Sequence, residues 1–293
     1  MNKSIIWGLL LGVIGLLSGC MSSDTTLTQQ YQDNENKVIQ YGKDKGLTLT
    51  KDASSGVYYY KSVTNSSGRG AAQNELVKMF YTYTKLDGTM LDSTTSTVPY
   101  GLVYLTYSTI LNNPVSLLKE GESGIFIFPQ TSQITEPTIL TVKVVTTRNE
   151  TEQIDEFVKT KYAGLDVIKT TSGVQYVITK DAITGDLVKS GQTVTVNYTG
   201  KLLYPTKKRD SNGFYVYNET FDSGSFSFVL GQGSTVAGFE EAVSKLKLGD
   251  KGTFVFPSSL GYGQAGSIDN TTGSYKIPPY SPLNFEIEVT AVK

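Results

Sequence analysis

The chain of 293 residues contains no histidine. That removes imidazole as a general base and as a zinc ligand, and with it the His-dependent hydrolases and the zinc sites that use imidazole. There is no surplus charge of one sign. Lys and Arg number 26 against 27 Asp and Glu, a formal charge of −1, so the basic footprint of a nucleic-acid partner is missing. The longest basic run, Lys207-Lys208-Arg209, falls in a polar stretch and reads as a solvated loop. One cysteine, Cys20, leaves no thiol for an internal disulfide even in an oxidising compartment. The single tryptophan, Trp7, sits near the N-terminus.

Around Trp7 runs an apolar stretch, Ile5 to Leu17, interrupted only by glycines. It is too short to cross ~30 Å of hydrocarbon as a helix. With Lys3 before it and small residues after it, the stretch has the form of a secretory signal. Leu17-Ser18-Gly19-Cys20 resembles the end of a bacterial lipoprotein signal. The resemblance implies removal of residues 1–19, lipidation of Cys20, and anchoring to a bacterial membrane facing the periplasm or exterior. An ordinary secretory signal with a chance cysteine is the alternative. Residues 20–35, rich in Ser, Thr, Gln and Asp, are expected to form a flexible tether.

The rest of the chain repeats itself. Ser55-Gly56-Val57 and Tyr59 recur as Ser172-Gly173-Val174 and Tyr176, and Val77, Met79 and Tyr81 recur at the same offset of 117 as Val194, Val196 and Tyr198. Asp92-Ser93 matches Asp222-Ser223 at 130, and Gly121, Gly124, Phe128 and Pro129 match Gly249, Gly252, Phe256 and Pro257 at 128. Offsets that hold steady and jump only in polar stretches indicate a tandem duplication. Each copy opens with a charged, amphipathic segment, 35–45 and 152–163. The second carries an apolar stripe of Ile154, Phe157, Val158 and Tyr162. Such a helix packs on its own domain, spaces the two domains, or binds a partner.

The second copy is the more informative. Apolar residues alternate in four pieces: Val194, Val196, Tyr198; Phe226, Phe228, Leu230; Phe254, Phe256; and Leu283, Phe285, Ile287, Val289. Period two with aromatic and β-branched residues predicts strands with one buried face. Between the second and third pieces, Phe239, Ala242, Val243 and Leu246 take the i, i+3, i+4, i+7 spacing of a short helix, with Gly249 expected as its C-terminal cap. Strands covering one helix make an α+β unit.

In order, this stretch holds Tyr198-Thr199-Gly200, Phe221-Asp222-Ser223-Gly224, the helix from Gly238-Phe239, Leu260-Gly261-Tyr262-Gly263 and Ile277-Pro278-Pro279. Together these resemble the FKBP family of peptidyl-prolyl isomerases over about a hundred residues. The resemblance implies an α+β fold of two tandem domains, each a curved antiparallel sheet wrapped on a short helix. The expected division is 36–149 as a degenerate copy, 150–168 as a linker helix and 169–293 as the isomerase domain. The first copy has Leu91 and Leu111 where the second has Phe221 and Phe239, Pro114 inside its helix segment, and neither the tip tyrosine nor the Ile-Pro-Pro turn.

The resemblance also assigns a pocket. Tyr262, Asp222, Tyr198 and Phe239 would be catalytic, and Phe221, Phe226, Val236, Ile277 and Phe285 would bind substrate. Tyr262 would offer its hydroxyl to a substrate carbonyl, the Ile277 N–H would bind a neighbouring one, and Asp222 would orient the amide or the tyrosine hydroxyls. Tyr198, Phe226 and Phe285 would equally be apolar as core residues of any such sheet, and Asp222 would equally cap a turn. The chemistry calls for no cofactor and no metal, because the barrier of ~18–20 kcal/mol arises from amide resonance alone. Two polar insertions, 205–220 and 267–276, are expected as loops at the pocket mouth, with a role in substrate preference or none. The expected partners are unfolded or proline-containing polypeptides and, through the anchor, a membrane; nothing in the pattern fixes an oligomeric state. A chaperone or scaffold that binds such segments without catalysis, or a structural part of an envelope assembly, is the competing reading.

Overall fold

The computed structural model describes residues 21–293 apart from 107–108, 132–133, 183, 210–214 and 272. The expected signal and Cys20 therefore lie outside the described residues. The first half runs α1 (Met21–Asp44), β1 (Thr50–Lys51), β2 (Tyr58–Val63), β3 (Leu76–Lys85), β4 (Met90–Ser93), β5 (Tyr100–Val103), α2 (Asn112–Leu117), β6 (Ser123–Phe128) and β7 (Thr138–Arg148). The second runs α3 (Glu150–Lys161), β8 (Ile168–Lys169), β9 (Gln175–Lys180), β10 (Thr193–Arg209), β11 (Tyr215–Val229), α4 (Ala237–Val243), β12 (Lys251–Phe256), β13 (Ser267–Ile268), β14 (Tyr275–Ile277) and β15 (Leu283–Val292).

Among the described residues, the first unit is a sheet in the order β1-β2-β6-β7-β3-β4 with β5 also on β3; the second has the order β11-β10-β15-β12-β9-β8. The order of the second sheet matches the first strand for strand once the duplication is allowed for, and the ladders are antiparallel. On one face of each sheet lies the short helix. In the second unit Gly238, Phe239, Ala242 and Val243 of α4 are buried against Val196, Phe254, Phe256, Phe285 and Ile287. Gly238 has no room for a Cβ, which would stand 2.5 Å from the Phe256 ring. The opposite face is covered by the helix that opens each unit. Val38 of α1 packs with Tyr58, Ile127 and Ile139, and Ile154 and Tyr162 of α3 pack with Val177 and Val255.

Several expectations need correction. Residues 21–35 are helical and continuous with α1 instead of a flexible tether. The polar side chains support the helix, with Gln29 donating to Asp33 one turn on at 3.0 Å. Asn34, buried, fastens it to the segment that leads into β7 by donating to the Thr135 carbonyl at 2.7 Å. Gly249 does not cap α4, which ends at Ser244; it takes φ +88° in the tight turn before β12, its N–H on the Val289 carbonyl at 2.9 Å. Pro114 sits in the first turn of α2, where its missing N–H costs nothing.

Among the described residues, both insertions expected as loops carry strands. Residues 206–209 pair with 215–218, prolonging β10 and β11 into a ribbon that reaches the first unit. Lys207, expected in solvent, is 5% exposed on that ribbon. The second insertion folds as the small β13–β14 hairpin.

Candidate active site

The site lies where β10, β11 and β15 meet α4. Tyr198 stands opposite Gly224 on β11 and Ile287 on β15. Two residues on, Gly200 stands opposite Asp222 and Phe285. A Cβ on Gly200 would come within 2.6 Å of the Phe221 ring and 2.8 Å of Phe285. Glycine there leaves room for both rings over the strand, which the sequence reading missed. The Tyr-Thr-Gly triplet thus places a tyrosine and makes space for two phenylalanines beside it.

Phe239 of α4 is the hub. Its ring lies 5.1 Å from Phe285, 5.8 Å from Tyr198, 5.8 Å from Phe226 and 6.0 Å from Phe228. Phe285 in turn meets Phe221 edge-on at 5.6 Å and stacks on Phe256 at 5.7 Å. Phe221, Phe239, Phe285 and Ile277 are buried, while Tyr198, Phe226 and Val236 (the residue that precedes the first turn of α4) are half-buried. Tyr198, Phe221, Phe226, Val236, Phe239, Ile277 and Phe285 pack in one cluster with Phe228 and Phe256, Asp222 is bonded to Tyr198, and Tyr262 is near enough to feel the Asp222 charge. The strand periodicity of Phe228 and Phe256 was visible in the sequence; the contacts of Phe228 with Phe239 and of Phe256 with Phe285 were not.

Polar groups line one side. The Tyr198 hydroxyl donates to Asp222 Oδ2 at 2.9 Å, and the Ser223 N–H donates to Asp222 Oδ1 at 3.1 Å. Asp222 and Ser223 both lie within β11, so the second bond is local to a strand and the turn-capping role expected as the alternative for Asp222 is not what the structure shows. Burial first, and then the bond to Asp222, push the Tyr198 hydroxyl up to about 12. Tyr262 is 39% exposed; partial burial and the Asp222 charge raise its pKa as well. Lys276 on β14 brings its ammonium to 3.8 Å from Asp222 Oδ1, with both side chains well exposed. The β13–β14 hairpin therefore sets a cation at the rim.

The turn carrying Tyr262 is anchored from a distance. Ser258, buried, receives the N–H groups of Gly261 at 2.8 Å and Gly263 at 2.9 Å on its carbonyl. Its own N–H and hydroxyl donate to Glu150 at the start of α3, the hydroxyl at 3.0 Å. Burial raises the Glu150 carboxyl above its ordinary range against these two bonds, which act to lower it. Helix α3 begins there with a capping box between Asn149 and Glu152. No local motif marks a contact made across 108 residues.

Residues 185–290 match the model of the FKBP-type peptidyl-prolyl cis-trans isomerases. The chain is 34% identical over 110 residues to FK506-binding protein 1B of Neurospora crassa, which covers 38% of this chain and 90% of that protein. The chain belongs to the FKBP-type isomerase family. It is also 37% identical over 142 residues to a probable FKBP-type peptidyl-prolyl cis-trans isomerase of Haemophilus influenzae, 48% of this chain and 52% of that one. The chain thus spans about half the length of that relative. Among solved structures it is similar to FkpA from Escherichia coli, with 28% identity and a TM-score of 0.37 over 50% of this chain and 59% of that chain. The FKBP-type match lies within the second unit, as do all nine pocket residues.

Proposed function

We propose that the protein is a peptidyl-prolyl cis-trans isomerase for proline-containing segments of other polypeptides, with catalysis confined to residues 169–293. The observation that carries this reading is the aromatic base around Phe239 with the Asp222 carboxylate and Tyr198 and Tyr262 hydroxyls along one side. Rotation about the X–Pro bond takes the amide out of resonance, leaving a pyramidal nitrogen and a carbonyl without its conjugated partner. A dry aromatic pocket holds the proline ring and withholds the water that stabilises the planar ground state. A donor aimed at the rotated carbonyl favours the transition state selectively. Tyr262 is suited to that task, being the half-exposed hydroxyl at the mouth. The Ile277 backbone would hold the adjoining carbonyl, and Asp222 fixes Tyr198 beneath the amide. Lowering the barrier by about 5 kcal/mol would accelerate rotation roughly 10⁴-fold.

The first unit keeps the sheet and the short helix but has only residues 129–137 between β6 and β7. No counterpart of the Tyr262 turn or of Ile277-Pro278-Pro279 is present there, so it is assigned no catalysis. Cys20 is assigned as a lipid attachment site, which would hold the enzyme at a bacterial membrane and direct it to proteins folding outside the cytoplasm. The decisive measurement is the isomerisation rate of a short X–Pro peptide and the refolding rate of a protein limited by proline isomerisation. Acceleration of either supports the enzyme; acceleration of neither, with binding to unfolded chains intact, replaces it with a chaperone.

A further inference from the structure

The first unit repeats the polar half of the site. Tyr81 occupies the place of Tyr198, and its hydroxyl donates to Asp92 Oδ2 at 2.7 Å. Beside this pair is a cavity of about 520 Å³ walled by Tyr83, Leu91, Tyr100, Leu111 and Leu140. What differs is the neighbour of the carboxylate. In the second unit Lys276 approaches Asp222 from solvent at 3.8 Å. In the first, Lys207 enters from the ribbon of the other unit and pairs closely with Asp92 Oδ1.

The ammonium is held by several groups of the first unit. Besides Asp92 it donates to the Ser93 carbonyl at 2.7 Å and to the Tyr81 hydroxyl at 3.3 Å. It also stands 5.4 Å from the centre of the Tyr81 ring. Removing an ammonium from water is costly unless such partners replace the water, so the site is built for this group. The ribbon is docked further back as well. Tyr204 is buried with its ring over Gly101 of β5, where a Cβ would stand 2.5 Å away.

We propose that the first unit's pocket is a recognition site for a primary ammonium group on an aliphatic stem, occupied in cis by Lys207. The ribbon insertion is then a strap between the units instead of a device for substrate preference, and a lysine-bearing segment competes for the same place.

Two measurements on the full chain test this. Under an amine-acylating reagent read by mass spectrometry, Lys207 reacts about tenfold more slowly than Lys180, since reaction requires the ribbon to open. Asp92→Asn removes most of that protection. In the Lys207→Ala variant, N-acetyl-lysine methylamide produces saturable NMR shifts with a Kd on the order of 1 mM. It produces none in the wild type or in Lys207→Ala/Asp92→Asn. A cooperative thermal unfolding transition of the first unit, followed by circular dichroism and retained in every variant, certifies that each is folded. Acylation of wild-type Lys207 as fast as Lys180, or equal responses of the single and double variants to the probe, would overturn the proposal.

Discussion

Replacing Phe239 by leucine copies into the second unit what the first already has at Leu111, which is also buried in its own core. Alanine would be uninformative. Truncating a buried phenylalanine to alanine costs ~3–5 kcal/mol, a large share of the ~5–15 kcal/mol by which a domain is stable. Leucine keeps most of the apolar volume, and near-isosteric exchanges cost under about 1.5 kcal/mol. To this is added the loss of edge and tilted ring contacts with Phe285, Tyr198, Phe226 and Phe228 at 5.1–6.0 Å. Each such pair contributes ~0.5–1.5 kcal/mol, but the four share one ring and do not sum. The expected destabilisation is ~1–3 kcal/mol, a fall in Tm of roughly 4–15 °C. The isomerisation rate should fall about tenfold at a temperature where the variant is folded, because the proline ring loses its base. Thermal unfolding followed by circular dichroism, beside a peptide isomerisation assay, measures both. A variant with reduced Tm and unchanged rate would make Phe239 a core residue only, and the pocket assignment would be wrong.

Four further outcomes are expected. Tyr262→Phe removes one half-exposed hydroxyl, leaves Tm unchanged and lowers turnover about 10- to 100-fold, a loss of roughly 1–3 kcal/mol in the transition state; an unchanged rate would clear Tyr262 of any role. Asp222→Ala takes away the acceptor of both the Tyr198 hydroxyl and the Ser223 N–H, so rate and Tm fall together, whereas a fall in Tm alone would leave Asp222 a structural role only. As pH rises above about 10, the raised tyrosine pKa values destabilise the fold: an unfolded tyrosine loses its proton near 10 while Tyr198 holds it to about 12, so stability is full below the first value and declines towards the second. Denaturant titrations at stepped pH would show this, and stability rising over that range would contradict it. Metabolic labelling with a fatty-acid probe should tag the wild type but not Cys20→Ala; equal labelling would remove the lipid anchor.

Much of the second unit was legible because its burial is periodic. Alternation at Val194, Val196 and Tyr198 and the helical spacing of Phe239, Ala242 and Val243 record which face each element hides, and both were found there. Local pattern does not record which remote group covers that face. Lys207 lay in a run of charges that resembled any solvated loop, and its partners Asp92, Ser93 and Tyr81, more than a hundred residues away, take its side chain out of solvent. The start of α1 was missed for a different reason. Its first turns are polar with no apolar stripe, and its helicity rests on continuity with the packed segment from Asn34 onward. Gly249 misled because a left-handed glycine serves a tight turn as well as a helix end.

Glu150 alters where the half of the chain proposed to be catalytic can be said to begin. A fragment cut at residue 169 would retain every aromatic wall of the pocket, yet the N–H and hydroxyl of buried Ser258 would lose their acceptor. Each orphaned donor costs ~1–3 kcal/mol unless the turn rearranges to reach water, and that turn is the one that aims Tyr262. The smallest piece able to work at full rate therefore starts at Asn149, whose cap begins α3. The helix between the duplicated halves is by this measure part of the enzyme.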